Sequence, residues 1–267
     1  MGLRIVVTGK GGSGKTTIAA LTSITFSLNG YRVLALDTDS VPNLALSLGI
    51  PQDKASKIVP LVKNEELIAE RTGAKPGEGW GILFSLTPDV SDITDRFGVK
   101  VNENLTLVVV GSIDVSKEGC LCPAIALAKA FLLHILLRPK DVVVIDSEAG
   151  AEVFGRGLAE RFDVNLCVAE PTLKSLMIAK KLVKMGRELG IKHNFIVINK
   201  VIDTLRAAQL YSEVFTDERP RYYIVRYSDN IIKLENSGKG LNELPHNDHA
   251  LQDVKQLINS LRNIFLR

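Results

Sequence analysis

Nine consecutive residues near the N-terminus, Gly9-Lys10-Gly11-Gly12-Ser13-Gly14-Lys15-Thr16-Thr17, constrain this chain more than any other stretch. They follow an apolar run over residues 4–8 and precede apolar residues at three- and four-residue spacing over residues 14–28. Four glycines in a strand-to-helix turn carry a conformational cost that a plain turn does not need. The cost is explained if the backbone N–H groups curl around phosphate oxygens at the positive end of the following helix. The spacing Gly, four residues, Gly-Lys-Thr makes Gly11, Gly12, Ser13 and Gly14 the cradle. It assigns Lys15 to the β- and γ-phosphates, the Thr16 hydroxyl to Mg²⁺ and Thr17 to the α-phosphate side.

The rest of the chain agrees with this start. Short Val- and Ile-rich runs recur at residues 33–37, 81–86, 105–110, 142–146, 164–169, 194–198 and, more weakly, 222–225. Segments with helical spacing stand between them at 122–137 and 173–189, and another follows at 250–265. Continuous apolar strands alternating with helices describe an α/β, doubly wound, mainly parallel sheet covered on both faces. No internal repeat is visible, and the one Pro- and Gly-containing linker, at 73–79, leads into another strand, so residues 1–267 read as a single domain.

Composition removes several classes. With 46% hydrophobic and 24% charged residues the 267-residue chain is an ordinary globular sequence. Its net charge of +3, with both signs interspersed, lacks the basic stripe expected of a nucleic-acid partner. The most apolar stretch, 124–137, is interrupted by Lys129 and His134 and is shorter than the roughly 18 apolar residues of a membrane span. The first strand starts too early for a secretory signal, so a cytoplasmic protein is expected.

Carboxylates stand where ligands of parallel sheets bind, at the ends of strands. Asp37-Thr38-Asp39 closes the second run, and its aspartates read either as ligand-facing groups or, for Asp39, as an Asx turn before the next helix. Asp146 closes 142–146, in the form of a carboxylate that orders water around Mg²⁺; Glu148 and Gly150 follow. Asn199-Lys200 ends a late strand, and a guanine-reading motif would require Asp at 202, where this chain has Ile202. ATP is therefore the expected nucleotide. Cys120 and Cys122 precede Pro123 at a helix entry and read either as two packed thiols or as half of a tetrahedral Zn²⁺ or Ni²⁺ site that a symmetric dimer would complete. Cys167 lies inside an apolar run and reads as core; no histidine falls at a spacing that completes the pair.

Lys10, a second lysine inside the loop, together with Gly11-Gly12 resembles the deviant phosphate loop of the MinD, ParA and nitrogenase iron protein superfamily. The resemblance implies an ATPase that forms a nucleotide-dependent homodimer, each Lys10 contacting the phosphates bound by its partner. It also implies that Asp39 positions the attacking water with Asp37 on the Mg²⁺ side, and that Asn199 contacts adenine. Lys200 joins the same site, while Pro171, within Glu170-Pro171-Thr172, and residues 224–229 line the base pocket. The chain departs from the superfamily in having Ser40 after the second Asp, with its proline at Pro42.

Gly111-Ser112-Ile113, Glu118-Gly119-Cys120-Leu121-Cys122-Pro123 and the run from Asp146 to Glu152, followed by Gly155-Arg156-Gly157, are similar to the CooC-type ATPases. These serve nickel insertion into carbon monoxide dehydrogenase. The resemblance implies metal delivery to that enzyme or a related nickel enzyme, although Val153 stands where a histidine is expected. The alternative is a MinD- or ParA-like positioning switch acting on a membrane or protein partner without a metal role. Its motive is the stripe of Leu251, Val254, Leu257, Ile258, Leu261 and Phe265 beside Lys255, Arg262 and Arg267, which reads equally as a face packed on the sheet.

Overall fold

A computed structural model of the chain describes residues 2–75, 85–112, 122–135, 138–147 and 161–265. In chain order the elements are β1 (Leu3–Gly9), α1 (Lys15–Leu28), β2 (Arg32–Asp37), α2 (Leu44–Ser47), α3 (Gln52–Ala55), α4 (Glu65–Thr72), α5 (Ile93–Phe97), β3 (Val99–Asn102) and β4 (Leu105–Val109). They continue with α6 (Cys122–His134), β5 (Asp141–Asp146), β6 (Val164–Ala169), α7 (Leu173–Glu188), β7 (His193–Val201), α8 (Thr204–Val214), β8 (Tyr222–Arg226), α9 (Asp229–Asn236) and α10 (His249–Phe265).

The strands pair as one sheet in the order β3-β4-β2-β5-β1-β6-β7-β8. All neighbours are parallel except β3 and β4. Successive β1 side chains enter opposite cores: Ile5 and Val7 pack with α1 and α10, whereas Val6 packs with residues of α6, α7 and α8. Burial on both faces is why these strands read as unbroken apolar runs and not as alternating patterns. The chain builds outward from β1 to β2 on one side and crosses to β6 on the other, so the loop after β1 sits where the winding reverses, the position at which open α/β sheets bind ligands.

Several expectations are adjusted. The run proposed at 81–86 falls at 81–84 outside the described residues, and Ser85 and Leu86 are not in a strand. β3 was not anticipated. Its four residues Val-Lys-Val-Asn form an antiparallel edge joined to β4 by Glu103-Asn104, and an edge that is half exposed carries no strong apolar signal. The short helices α8 and α9 also lacked a strong sequence signal; both are capped locally, by Asp203 onto the Arg206 N–H and by Ser228 onto the Ile231 N–H.

The apolar stripe of α10 is core. Val254, Leu257, Ile258 and Leu261 are fully buried, in the same cluster as α1 and β8. No helix among the described residues is long and apolar enough to cross a membrane. Leu257→Ala is expected to lower stability by about 2–4 kcal/mol in urea unfolding. An unchanged midpoint would restore α10 as a separable, surface-seeking helix.

Candidate nucleotide site

The loop after β1 is shaped by backbone that approaches its neighbours too closely for side chains. Gly9 has φ +148°, and a Cβ there would stand 2.2 Å from the Val168 carbonyl oxygen of β6. Gly14 has φ +93°, and a Cβ there would stand 2.2 Å from Asn199 Nδ2. Between them Lys10, Gly11 and Gly12 are exposed and Ser13 is buried, as is Lys15 just after Gly14. The Ser13 N–H donates to the Lys10 carbonyl at 3.2 Å, closing a turn. α1 starts at Lys15 with Gly14 as a left-handed cap and no side-chain cap, leaving its first amides to whatever occupies the loop. The Ser13 hydroxyl is buried without a protein partner.

The predicted carboxylates converge beside it. β2 and β5 are neighbours in a register that places Asp37 directly opposite Asp146 at their carboxyl ends. Both are buried, at 0% and 1% exposure. Asp37 accepts from the Asp39 N–H at 3.1 Å and from the Leu44 N–H at 3.0 Å, so it caps α2. Asp39 is half-buried and accepts from Val41 N–H at 3.1 Å and Ser40 Oγ at 3.3 Å, an Asx turn. Thr38 donates through N–H and hydroxyl to the Asp146 carbonyl, at 3.0 and 2.9 Å, tying the β2 loop to β5. The Asp146 carboxylate receives the Thr16 hydroxyl, yet its Oδ1 is buried without a partner. Glu148 lies outside the described residues.

Two buried carboxylates side by side resist ionisation. Burial, more than any neighbour, pushes Asp146 to about 7, with the adjacent Asp37 adding to the rise and Thr16 and Lys15 opposing it. Burial likewise pushes Asp37 to about 6, against the lowering by the Leu44 and Asp39 amides. The orphaned Asp146 Oδ1, the Thr16 hydroxyl and the nearby Asp37 form an all-oxygen donor set that fits Mg²⁺ held in part through water. A divalent cation there would favour the charged forms that burial disfavours.

On the far side of the loop, Asn199 is buried and its amide donates to the Ser13 carbonyl at 3.0 Å. Lys200 donates to the Gly12 carbonyl at 2.6 Å and pairs with Glu170 at 3.3 Å. Pro171 follows Glu170 at the turn into α7, whose N-cap is Thr172. The backbone of Tyr227 donates to the Val201 carbonyl, bringing residues 224–229 beside the same edge. The Thr17 hydroxyl reaches Glu235 of α9 at 3.5 Å, a partner 218 residues away that no local pattern announces. Cys122 is exposed at the first residue of α6, and Cys120 lies outside the described residues. Among the described residues no group of three or more His, Cys, Asp and Glu side chains could hold a metal ion. Cys167 is fully buried, as its apolar run implied.

The raised carboxyls set a pH dependence. Between the ordinary value of 3.8 and about 7 the folded, nucleotide-free chain holds protons that the unfolded chain releases. Stability contributed by these groups is therefore complete at low pH and is lost as pH rises through about 6 to 7. Asp146→Asn is expected to be more stable than wild type at pH 8 by about 1–3 kcal/mol and to lose that advantage near pH 4. Urea unfolding at the two pH values checks this; an advantage independent of pH would contradict it.

Comparison with known proteins bears on the same loop and strands. The model of the CobQ/CobB/MinD/ParA nucleotide binding domain matches residues 4–241. An ATP-binding protein of Methanocaldococcus jannaschii is 39% identical over 259 residues, 96% of each chain. The carbon monoxide dehydrogenase accessory protein CooC of Rhodospirillum rubrum is 41% identical over 199 residues, 74% of each chain. The crystal structure of a ParA family ATPase from Chlorobium tepidum superposes with a TM-score of 0.72 at 18% identity, covering 97% of this chain and 99% of that one, a likeness of fold. With its glycine loop, paired strand-end carboxylates and doubly wound sheet, the chain belongs to the CobQ/CobB/MinD/ParA nucleotide-binding family and is one of its P-loop ATPases.

Proposed function

We propose that this ATPase works as a nucleotide-dependent homodimer that delivers nickel to carbon monoxide dehydrogenase or a related nickel enzyme in the cytoplasm. The observation that carries the reading is the Cys120-x-Cys122 pair in a chain 41% identical to a carbon monoxide dehydrogenase accessory protein. Exposure of Cys122 at the start of α6 supports it, because a thiol shared between two subunits must be reachable. In this reading Cys120 and Cys122 from both subunits provide four thiolates for one Zn²⁺ or Ni²⁺. The metal is cargo, and ATP is the substrate whose binding and hydrolysis change the dimer that holds it.

The roles at the phosphates follow from chemistry. Lys15 and the loop of Gly11, Gly12, Ser13 and Gly14 hold the phosphates, Lys15 the β- and γ-phosphates, and Lys10, exposed on the loop, reaches those of the partner. Thr16, Asp146 and Asp37 hold Mg²⁺, which when bound offsets phosphate charge. Asp39 orients the attacking water, and Glu148 contributes to nucleotide binding. Asn199, Lys200 and Pro171 complete the site on the side where adenine lies. Charge spreading over the γ-phosphoryl oxygens in the transition state is met by Lys15 and by the partner's Lys10.

Removing a cation from a phosphoryl-transfer site usually costs about 10²-fold or more in turnover. Lys10→Ala is therefore expected to retain MgATP binding, to remain monomeric by light scattering with MgATP and to lose hydrolysis to that extent. A variant that dimerises and turns over normally would remove the cross-subunit role. Metal analysis of size-separated protein, with and without MgATP, tests the cargo. About one Zn²⁺ or Ni²⁺ per dimer, absent from the Cys120→Ser/Cys122→Ser variant, is expected. ATP-driven dimers without thiol-dependent metal would instead favour a positioning switch acting on a protein partner.

A further inference from the structure

We infer that Lys200 is a positioning residue that sets the shape of the phosphate loop through the Gly12 carbonyl. The inference rests on the loop binding nucleotide phosphates and is independent of any metal role.

Three observations meet at this residue. Lys200 has φ +59°, the left-handed region, and it and Lys140 are the two non-glycine residues with positive φ among those described. The pairing of β7 with β8 shifts register between Ile198 and Val201, so Lys200 sits on an irregularity that breaks the ladder. Such irregularities re-aim a side chain. Here the ammonium is brought to 2.6 Å from the Gly12 carbonyl oxygen, with the Glu170 carboxylate at 3.3 Å on its other side. Backbone strain at a bulky residue persists where the surroundings over-determine it. The ammonium is held by the loop and by Glu170, itself anchored by its N–H on the Ser175 hydroxyl at 2.9 Å.

The consequence follows from peptide geometry. In a planar trans peptide the C=O and N–H point to opposite sides. Lys200 holds the Gly12 carbonyl and Asn199 holds the Ser13 carbonyl, both from the β7 side. The Ser13 N–H is thereby directed onto the Lys10 carbonyl, where it closes the turn at 3.2 Å, and the Gly14 N–H is directed away from Asn199. A phosphate cradle works only when its backbone is already shaped. By fixing the Gly12–Ser13 peptide, Lys200 holds the turn that carries Lys10 in one conformation before the nucleotide arrives.

A loop-positioning residue and a base-reading residue give different results. Lys200→Met and Lys200→Gly are compared with wild type in competition against a fluorescent ATP analogue, using MgATP and magnesium tripolyphosphate, which has no base. Thermal midpoints are recorded alongside. Both variants are expected to lose tenfold or more in affinity for MgATP and for tripolyphosphate alike. Lys200→Gly, whose backbone adopts positive φ without strain, should melt no lower than wild type. Affinity falling while stability holds separates a positioning role from a general packing role. Loss of MgATP affinity with tripolyphosphate affinity unchanged would overturn the inference in favour of base contact, and unchanged affinity for both would reduce the pair with Glu170 to a surface ion pair. Since only nucleotide binding is read, failure here leaves the metal-delivery reading untouched.

Discussion

The carboxyl edge of this sheet depends on backbone packed directly against its neighbours where β1 ends. Gly9 lies against the Val168 carbonyl and Gly14 against the Asn199 amide, each too close for any side chain. From those two contacts follow the curl of the loop, the exposure of Lys10 and the start of α1 at Lys15 with its amides uncapped. A larger residue at either glycine would push the loop off β6 or β7, and the alignment of Lys15 with Asp146 would go with it.

Beside the loop the fold holds an electrostatic tension. Asp37 and Asp146 stand opposite one another, fully buried, and burial pushes both well above the ordinary carboxylate range. Packing places them there regardless of charge, because β2 and β5 are central strands. A cation and a phosphate chain bound beside them would favour the charged forms that burial disfavours. The β2 loop is anchored to the same point by Thr38, one residue before Asp39, through the Asp146 carbonyl.

Much of this was legible in the residues. Seven of the strands, the four long helices and the loop follow from apolar runs, three- and four-residue spacing and glycine placement, which are local signals. The edge strand β3 escaped because half its residues face water, and α9 because eight residues carry too little periodicity. Glu235 next to Thr17 and Glu170 next to Lys200 escaped for a different reason, since they are partners only after the chain has wound on both sides of β1. The α10 stripe was ambiguous in sequence, because a face that packs on a sheet and a face that enters a lipid surface share one pattern; its burial against α1 and β8 decides for packing.

By itself, the sequence determined the class of fold, the phosphate loop, the carboxylates at the strand ends and the spacing of the cysteine pair, because each is written in contiguous residues whose chemistry is local. The tertiary structure alone decided that Asp37 faces Asp146 in register, that Asn199 and Lys200 hold the loop's carbonyls, and that Lys200 does so from a left-handed backbone. Those facts depend on strand order and on where the pairing of β7 with β8 shifts, and both are set by how two hydrophobic cores close on opposite faces of one sheet.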